Sequence, residues 1–304
     1  MFGTSSRRAA LLLALALTAG ACSSGEKGGD PSAGSSPRSD AESFDGDFSG
    51  ASAYPIFVNS EITMGENRML IGVLDDSDAP IGSPEITLHV SYFDLEASTD
   101  EPVEVDEPEF MWSVEGSTGV YVGEATFDRA GRWGAEIHIV GDGLDETLRT
   151  SFEVTKESRT PEVGERVPAS DTPTMRDVAS LEKISTDADP ERSFYRRSIA
   201  EAVRGDLPFV VVFATPKFCQ TAVCGPTLDI VKSVAKDTRG ATFIHVEPYE
   251  LPAEPPNFEV VDAVEEWGLP SEPWVFVVGR DGRLVAKFEG VVGEDELRET
   301  LASL

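Results

Sequence analysis

The sequence predicts two folded regions of different class, an all-β sandwich over residues 51–156 and an α/β domain over residues 175–304. Three observations predict this. The first region is a series of short segments in which apolar and polar residues alternate between Gly, Asp and Pro, the period of antiparallel strands with one buried face. The second contains a solid apolar run, Phe209–Phe213, followed by a proline-started amphipathic segment, as expected of a buried central strand leading into a helix. Between them the chain is polar and carries Thr-Pro-Glu, Val-Pro-Ala and Thr-Pro-Thr, so residues 157–174 read as a linker.

At the N-terminus, Arg7 and Arg8 precede an apolar core, Ala9 to Thr18, that is too short to span a bilayer comfortably. Ala19-Gly20-Ala21-Cys22 follows. This resembles the lipobox of bacterial lipoproteins, with Ala19 where leucine is usual. The resemblance implies that residues 1–21 are a signal peptide and that Cys22 is diacylated and becomes the mature N-terminus. An ordinary secretory signal cleaved near Ala21 is the alternative, and Ser6-Arg7-Arg8-Ala-Ala-Leu11 also resembles a twin-arginine export motif. Each reading places the protein outside the cytoplasm, where disulfides persist, and the lipid anchor would hold it to the bacterial cell membrane. Residues 22–50 are Gly, Ser, Asp and Pro with few apolar side chains, the composition of a flexible tether. The net charge of −30 argues against nucleic acid or anionic lipid as a partner. The chain holds no Gly-rich phosphate loop, HExxH motif or long internal repeat, and no cofactor or metal is expected.

Within the first region, Ile86, Leu88, Val90 and Tyr92 alternate with Thr87, His89 and Ser91. Trp133, Ala135, Ile137 and Ile139 alternate with Gly134, Glu136 and His138. Arg68 to Leu74, Val120 to Phe127 and Thr147 to Val154 are further strand candidates, and their spacing suggests an immunoglobulin-like sandwich. Gly119-Val-Tyr121 followed by Ala130-Gly131-Arg-Trp133 resembles the last strands of small extracytoplasmic sandwich domains of the YtkA/FixH type. His89 and His138 fall on the outward set and read as surface residues rather than metal ligands.

The second region is read in order. Asp189-Pro190 offers an N-cap and first-turn proline for a helix through Val203, closed by Gly205. Phe209–Phe213 is a strand, Pro226 opens a helix with Leu228, Val231, Val234 and Ala235 on one face, and Ala241 to Val246 is a second strand. Phe258 to Trp267 reads as a helix. Trp274–Val278 and Leu284–Phe288 form a hairpin around an Asp-Gly turn, and Glu294 to Leu304 repeats leucines at helical spacing. This order, with cysteines after the apolar strand, a proline before the hairpin and Gly290 after it, resembles the thioredoxin family. The resemblance implies a thioredoxin fold, a redox-active cysteine pair and a cis-proline beside it, with Pro273 the candidate and Pro270 the fallback.

The pair is Cys219 and Cys224, separated by four residues. Cysteines delivered to a helix N-terminus favour thiolate over thiol. Thioredoxins have two residues between their cysteines. Here Cys224-Gly-Pro-Thr227 reproduces their motif with threonine in the second cysteine's place, while counting from the strand aligns Cys219 with their first cysteine. Five steps along an ideal helix turn through roughly 500°, so both thiols cannot share one helical face and residues 220–223 are expected to form a loop. Cys219 is taken as the attacking thiol and Cys224 as the resolving one. The neighbouring Glu272 is expected to raise thiol pKa values or favour a cationic substrate.

The function these residues suggest is thiol-disulfide exchange with exported proteins or with a membrane redox partner. A purely structural disulfide in a binding module is one alternative. Sco-type assembly factors are a third comparison, pairing two cysteines with a distant histidine to hold copper. The corresponding histidine, His245, lies on a buried strand and reads as packed or hydrogen-bonded.

Overall fold

Alternation of apolar and polar residues makes eight strands in the first half of the described residues. They are β1 (Ala53–Phe57), β2 (Gly65–Asp75), β3 (Thr87–Asp94), β4 (Glu104–Asp106), β5 (Glu109–Val114), β6 (Thr118–Phe127), β7 (Gly131–Gly141) and β8 (Leu144–Val154). A computed structural model describes residues 43–304. The expected signal peptide, Cys22 and most of the segment expected to be a tether lie outside the described residues.

The strands pair into two four-stranded sheets, β1-β2-β6-β5 and β4-β3-β7-β8. This is the strand order of an immunoglobulin-type sandwich with β4 added at one edge. Met69, Ile71, Val73, Tyr121 and Phe127 of one sheet meet Leu88, Val90, Tyr92, Trp133, Ile137 and Ile139 of the other. The Phe127 and Trp133 rings lie 4.8 Å apart. The indole Nε1 of Trp133 donates to the Arg129 carbonyl at 3.1 Å, which satisfies its one polar atom inside the core.

Residues 43–50, within the segment expected to be a tether, are described and include a core residue. Phe44 is fully buried, its ring 5.2 Å from Phe93, with the Arg149 guanidinium 4.9 Å above it. Gly134 makes the room: a Cβ there would come within 2.6 Å of the Phe44 ring.

The second half builds one mixed sheet from β9 (Phe209–Phe213), β10 (Thr242–Val246), β11 (Trp274–Val278) and β12 (Leu284–Glu289), in the order β10-β9-β11-β12. β9 runs parallel to β10, while β11 is antiparallel to both β9 and β12. Its helices are α1 (Ile199–Val203), α2 (Cys224–Asp237), α3 (Asp262–Glu266) and α4 (Glu294–Ala302). Leu228, Val231 and Val234 of α2 and Leu297 of α4 cover Val210, Val212, Val275 and Val277. Ile199, Ala202, Ala263 and Trp267 cover Phe209, Val211, Phe213 and Phe276 on the other face.

The fold class expected from the sequence is corrected by this arrangement. The described residues are mostly β, with three four-stranded sheets and few helices, and no α/β thioredoxin fold is evident among them. The helix expected over residues 189–203 is reduced to a 3-10 turn, Arg192–Tyr195, and the five residues of α1. Ser198 interrupts it, because its side chain accepts from the Glu201 N–H in a capping box and so starts a new helix there. The helix expected over residues 258–267 shrinks to α3. Its first part is held extended by the Tyr249–Val260 bridge and by Glu250 N–H donating to the Glu259 carbonyl at 2.8 Å.

The expected linker is a packed strap. Ser158 and Thr160 hydroxyls and the Arg159 N–H all donate to the Glu61 carboxylate, at 2.6, 2.8 and 2.9 Å. Lys287 Nζ on β12 reaches Ser158 and Thr160 at 2.8 Å each and Glu61 at 3.4 Å. Burial pushes the Glu61 carboxyl up, but these donors and the Lys287 charge outweigh it and hold the group below its ordinary value. Farther along, Ser170 Oγ donates to Glu266 and accepts from the Trp267 indole at 3.1 Å. Arg68 of β2 forks onto Glu296 of α4, at 2.7 and 3.0 Å. The described residues all fall in one compact unit. Among them no helix is long and apolar enough to cross a membrane.

Truncating Phe44 to Ala is expected to lower the unfolding free energy by about 3 kcal/mol, since a large buried ring would leave a cavity over Gly134. Urea denaturation of the variant beside the parent protein checks this.

Candidate functional site

The cysteine loop leaves the C-terminal end of β9. Both edges of β9 are occupied by β10 and β11, and its five residues are buried. The chain then turns at Thr215, whose carbonyl accepts from Phe218 N–H at 3.3 Å and Cys219 N–H at 3.1 Å. His245 fixes the start of this turn. Its Nε2 donates to the Ala214 carbonyl at 2.8 Å, so Nδ1 is the acceptor that faces the Tyr195 hydroxyl at 2.6 Å. Burial lowers the His245 pKa to about 4 and keeps the ring neutral. Both ring nitrogens are therefore engaged within the protein.

Residues 220–223 form the loop that the spacing requires, with Ala222 in the left-handed region at φ 60°. The helix begins at Cys224, two residues before the proline expected to open it. Pro226 sits in the first turn, where its missing N–H leaves no helical bond unmade. Thr227 Oγ1 donates to the Gly290 carbonyl at 3.0 Å and ties this turn to the end of β12. On the other side, Val223 packs among Leu70, Val120 and Val122 of the sandwich, together with Met111 and Val291.

The two thiols are brought together and are unlike. Cys219 is partly exposed, while Cys224 is fully buried at the helix start. A hydrogen bond from Cys224 is the largest influence pulling the Cys219 thiol down to about 5. The Thr221 hydroxyl, 3.4 Å from Cys219 Sγ, adds to this, while partial burial opposes it. The same hydrogen bond, followed by burial, pushes Cys224 strongly up. The favoured state is a Cys219 thiolate held by a protonated Cys224.

Pairing of Trp274 with Phe213 sets Glu272 and Pro273 across from the start of the cysteine loop. The Glu272–Pro273 peptide is cis, whereas Pro270 is not among the cis prolines. Glu272 is half-buried and accepts from the Tyr249 hydroxyl at 3.2 Å. Burial is the largest cause raising the Glu272 pKa, and the nearby Cys219 charge also raises it. Burial and the Glu272 charge push Tyr249 up to about 12.

Sequence reasoning misses three residues here, Thr215, Glu247 and Tyr249. Thr215 is fully buried behind Cys224. Glu247, directly after β10, accepts from Thr186 N–H at 2.8 Å and Thr186 Oγ1 at 2.7 Å. Its other oxygen and the Thr215 hydroxyl make no hydrogen bond of good geometry. Burial pushes the Glu247 pKa up. A charged residue ending an apolar strand is the one available signal for Glu247.

No protein-family model matches the chain, and no curated protein matches it. Among solved structures, a DUF4426 family protein from Pseudomonas aeruginosa is 14% identical, with a TM-score of 0.25 over 35% of this chain and 91% of that one. The Escherichia coli adhesin FdeC is 12% identical, with a TM-score of 0.23 over 41% of this chain and 37% of that one. The Lin-41 filamin domain is 12% identical, with a TM-score of 0.21 over 35% of this chain and 95% of that one. Likenesses this distant carry no argument about this chain.

Alkylation of Cys219 is expected to follow a thiolate that is already formed well below neutral pH, with the rate falling only as pH drops toward about 5. Cys224→Ser weakens the leading hydrogen bond, so the inflection should move upward. The ultraviolet absorbance of the thiolate, or timed iodoacetamide labelling, reads both.

Glu247 has a raised folded-state pKa, so its contribution to stability is present at low pH and lost as pH rises through that value. Glu247→Gln should therefore raise the melting temperature at about pH 8 and gain much less at about pH 4. Thermal unfolding at the two pH values measures the difference.

Proposed function

We propose that this protein carries out thiol-disulfide exchange through Cys219 and Cys224, acting outside the cytoplasm on exported proteins or a membrane redox partner, with a lipid on Cys22 as its anchor. The observation that carries the reading is the asymmetry of the pair: a partly exposed thiol drawn toward thiolate, hydrogen-bonded by a buried thiol held protonated. Attack needs a thiolate that a partner can reach, and resolution needs a second thiol close behind it.

In this scheme the Cys219 thiolate attacks one sulfur of a partner disulfide. A bond forms between Cys219 and that sulfur, and the other partner sulfur leaves as a thiolate. The negative charge on Cys219 that held the Cys224 proton is then gone. Cys224 passes its proton to the partner thiolate that left first, and its own thiolate then attacks Cys219 Sγ, which closes the intramolecular disulfide and releases the second partner sulfur as a thiolate. The pair is oxidised by two electrons and the partner disulfide is reduced; the same steps in reverse oxidise a partner dithiol. Cis Pro273 and Glu272 border the approach to Cys219 and are the residues a bound partner would meet.

The test is the redox equilibrium of the pair in graded glutathione or dithiothreitol buffers, read by alkylation and mass. A midpoint between roughly −120 and −270 mV is expected for an exchange catalyst. A midpoint below about −300 mV would mark a structural staple and end the proposal.

A further inference from the structure

His89 on β3 and His138 on β7 are directly opposite one another in the antiparallel register. Both side chains are on the outer face of the sandwich and roughly half exposed, with ring centroids 6.0 Å apart. Each ring has a carboxylate on one nitrogen only. His89 Nδ1 lies 3.2 Å from Glu107 Oε1, and His138 Nε2 lies 2.8 Å from Asp145 Oδ1. An ionised carboxylate only accepts, so each of those nitrogens carries the proton. His89 Nε2 and His138 Nδ1 are left with their lone pairs.

We propose that His89 and His138 together bind a divalent late first-row transition ion such as Zn2+ or Ni2+ on the outer face of the β4-β3-β7-β8 sheet. Imidazole nitrogens bind such ions at about 2.0–2.1 Å, which allows two rings on one ion only if their centroids lie within about 6.5 Å. The pair meets that limit. A carboxylate that accepts from the far N–H of a ligating imidazole fixes its tautomer and strengthens it as a donor, and here both rings have one. The surroundings also favour a cation. On β8 the residue opposite His138 is Thr147, and Arg149, one outward pair further along, has its charge taken up by Glu136 at 2.7 Å. No set of three or more His, Cys, Asp or Glu side chains converges as a metal cage among the described residues, so water completes the coordination. The inference is independent of the cysteine chemistry.

Titration of the full chain with zinc chloride tests it, with Cys219→Ala and Cys224→Ala present in the parent and in every variant so that the thiolates do not take the ion first. His89→Gln and His138→Gln should each weaken uptake of one equivalent at least about 100-fold. Glu107→Gln and Asp145→Asn should each weaken it about 10–100-fold, the range measured when such orienting carboxylates are removed. All four side chains are exposed, so these changes leave the core untouched. Imidazole nitrogen NMR of the unaltered protein gives a readout free of any variant, with both His89 and His138 shifting on addition of the metal. Affinity within threefold of the parent in either histidine variant, or unmoved resonances of these two rings, overturns the proposal.

Discussion

The full enclosure of β9 is the constraint on which the second half of the protein depends. Phe209–Phe213 is covered on both faces by helices and on both edges by strands. A segment whose every polar backbone group is paired and whose every side chain is buried can change direction only at its ends. The C-terminal end is therefore where reactive groups can be placed with precision and still reach solvent. Ala214 and Thr215 make that exit, and the neutral His245 holds the carbonyl at which it starts. The histidine works as a bracket because burial keeps it uncharged, so its hydrogen bonds do not change across ordinary pH.

The sandwich contributes to this site by contact rather than by supplying a reactive group. Its outer face, through Leu70 and Val120, packs with Val223, the residue just before Cys224. The polar counterpart lies at Glu61, where a buried carboxylate gathers the strap, Lys287 and the sandwich at one point. Taking such charges out of water is costly unless each lone pair is answered. Glu61 is answered by three hydroxyl or amide donors and one cation, so separating the halves would expose a network as well as an apolar seam.

Strands are legible in the sequence and short helices are not. Phe209–Phe213 and Trp274–Val278 are continuous apolar runs that coincide with β9 and β11, and the alternation from Arg132 to Val140 lies inside β7. Such patterns arise from burial, which the whole fold imposes. The ends of α1 and α3 are instead decided locally, by the Ser198 cap and by a backbone pairing across a proline-rich loop. β4 and β5 escape detection because three or six residues give alternation too little length to register. At the site, the pair of cysteines and Pro273 are visible as residue types at meaningful places. Thr215, Glu247 and Tyr249 are not, since they join the cysteines only through the parallel pairing of β9 with β10 and the loop that follows.

The spacing of the cysteines explains why the pair is asymmetric at all. Two thiols separated by four residues on one continuous helix would point in different directions. Breaking the helix before Cys224 lets the chain fold back, and Ala222 in the left-handed region is the local cost, on the order of 1 kcal/mol for a residue with a Cβ. The break also separates the environments. Cys224 takes the helix start and the buried side, where Thr215 and the seam with the sandwich exclude water. Cys219 stays on the turn beyond β9, where it receives hydrogen bonds from Thr221 and Cys224 but remains partly exposed. The longer loop therefore leaves one thiol partly exposed and the other buried, joined by a hydrogen bond.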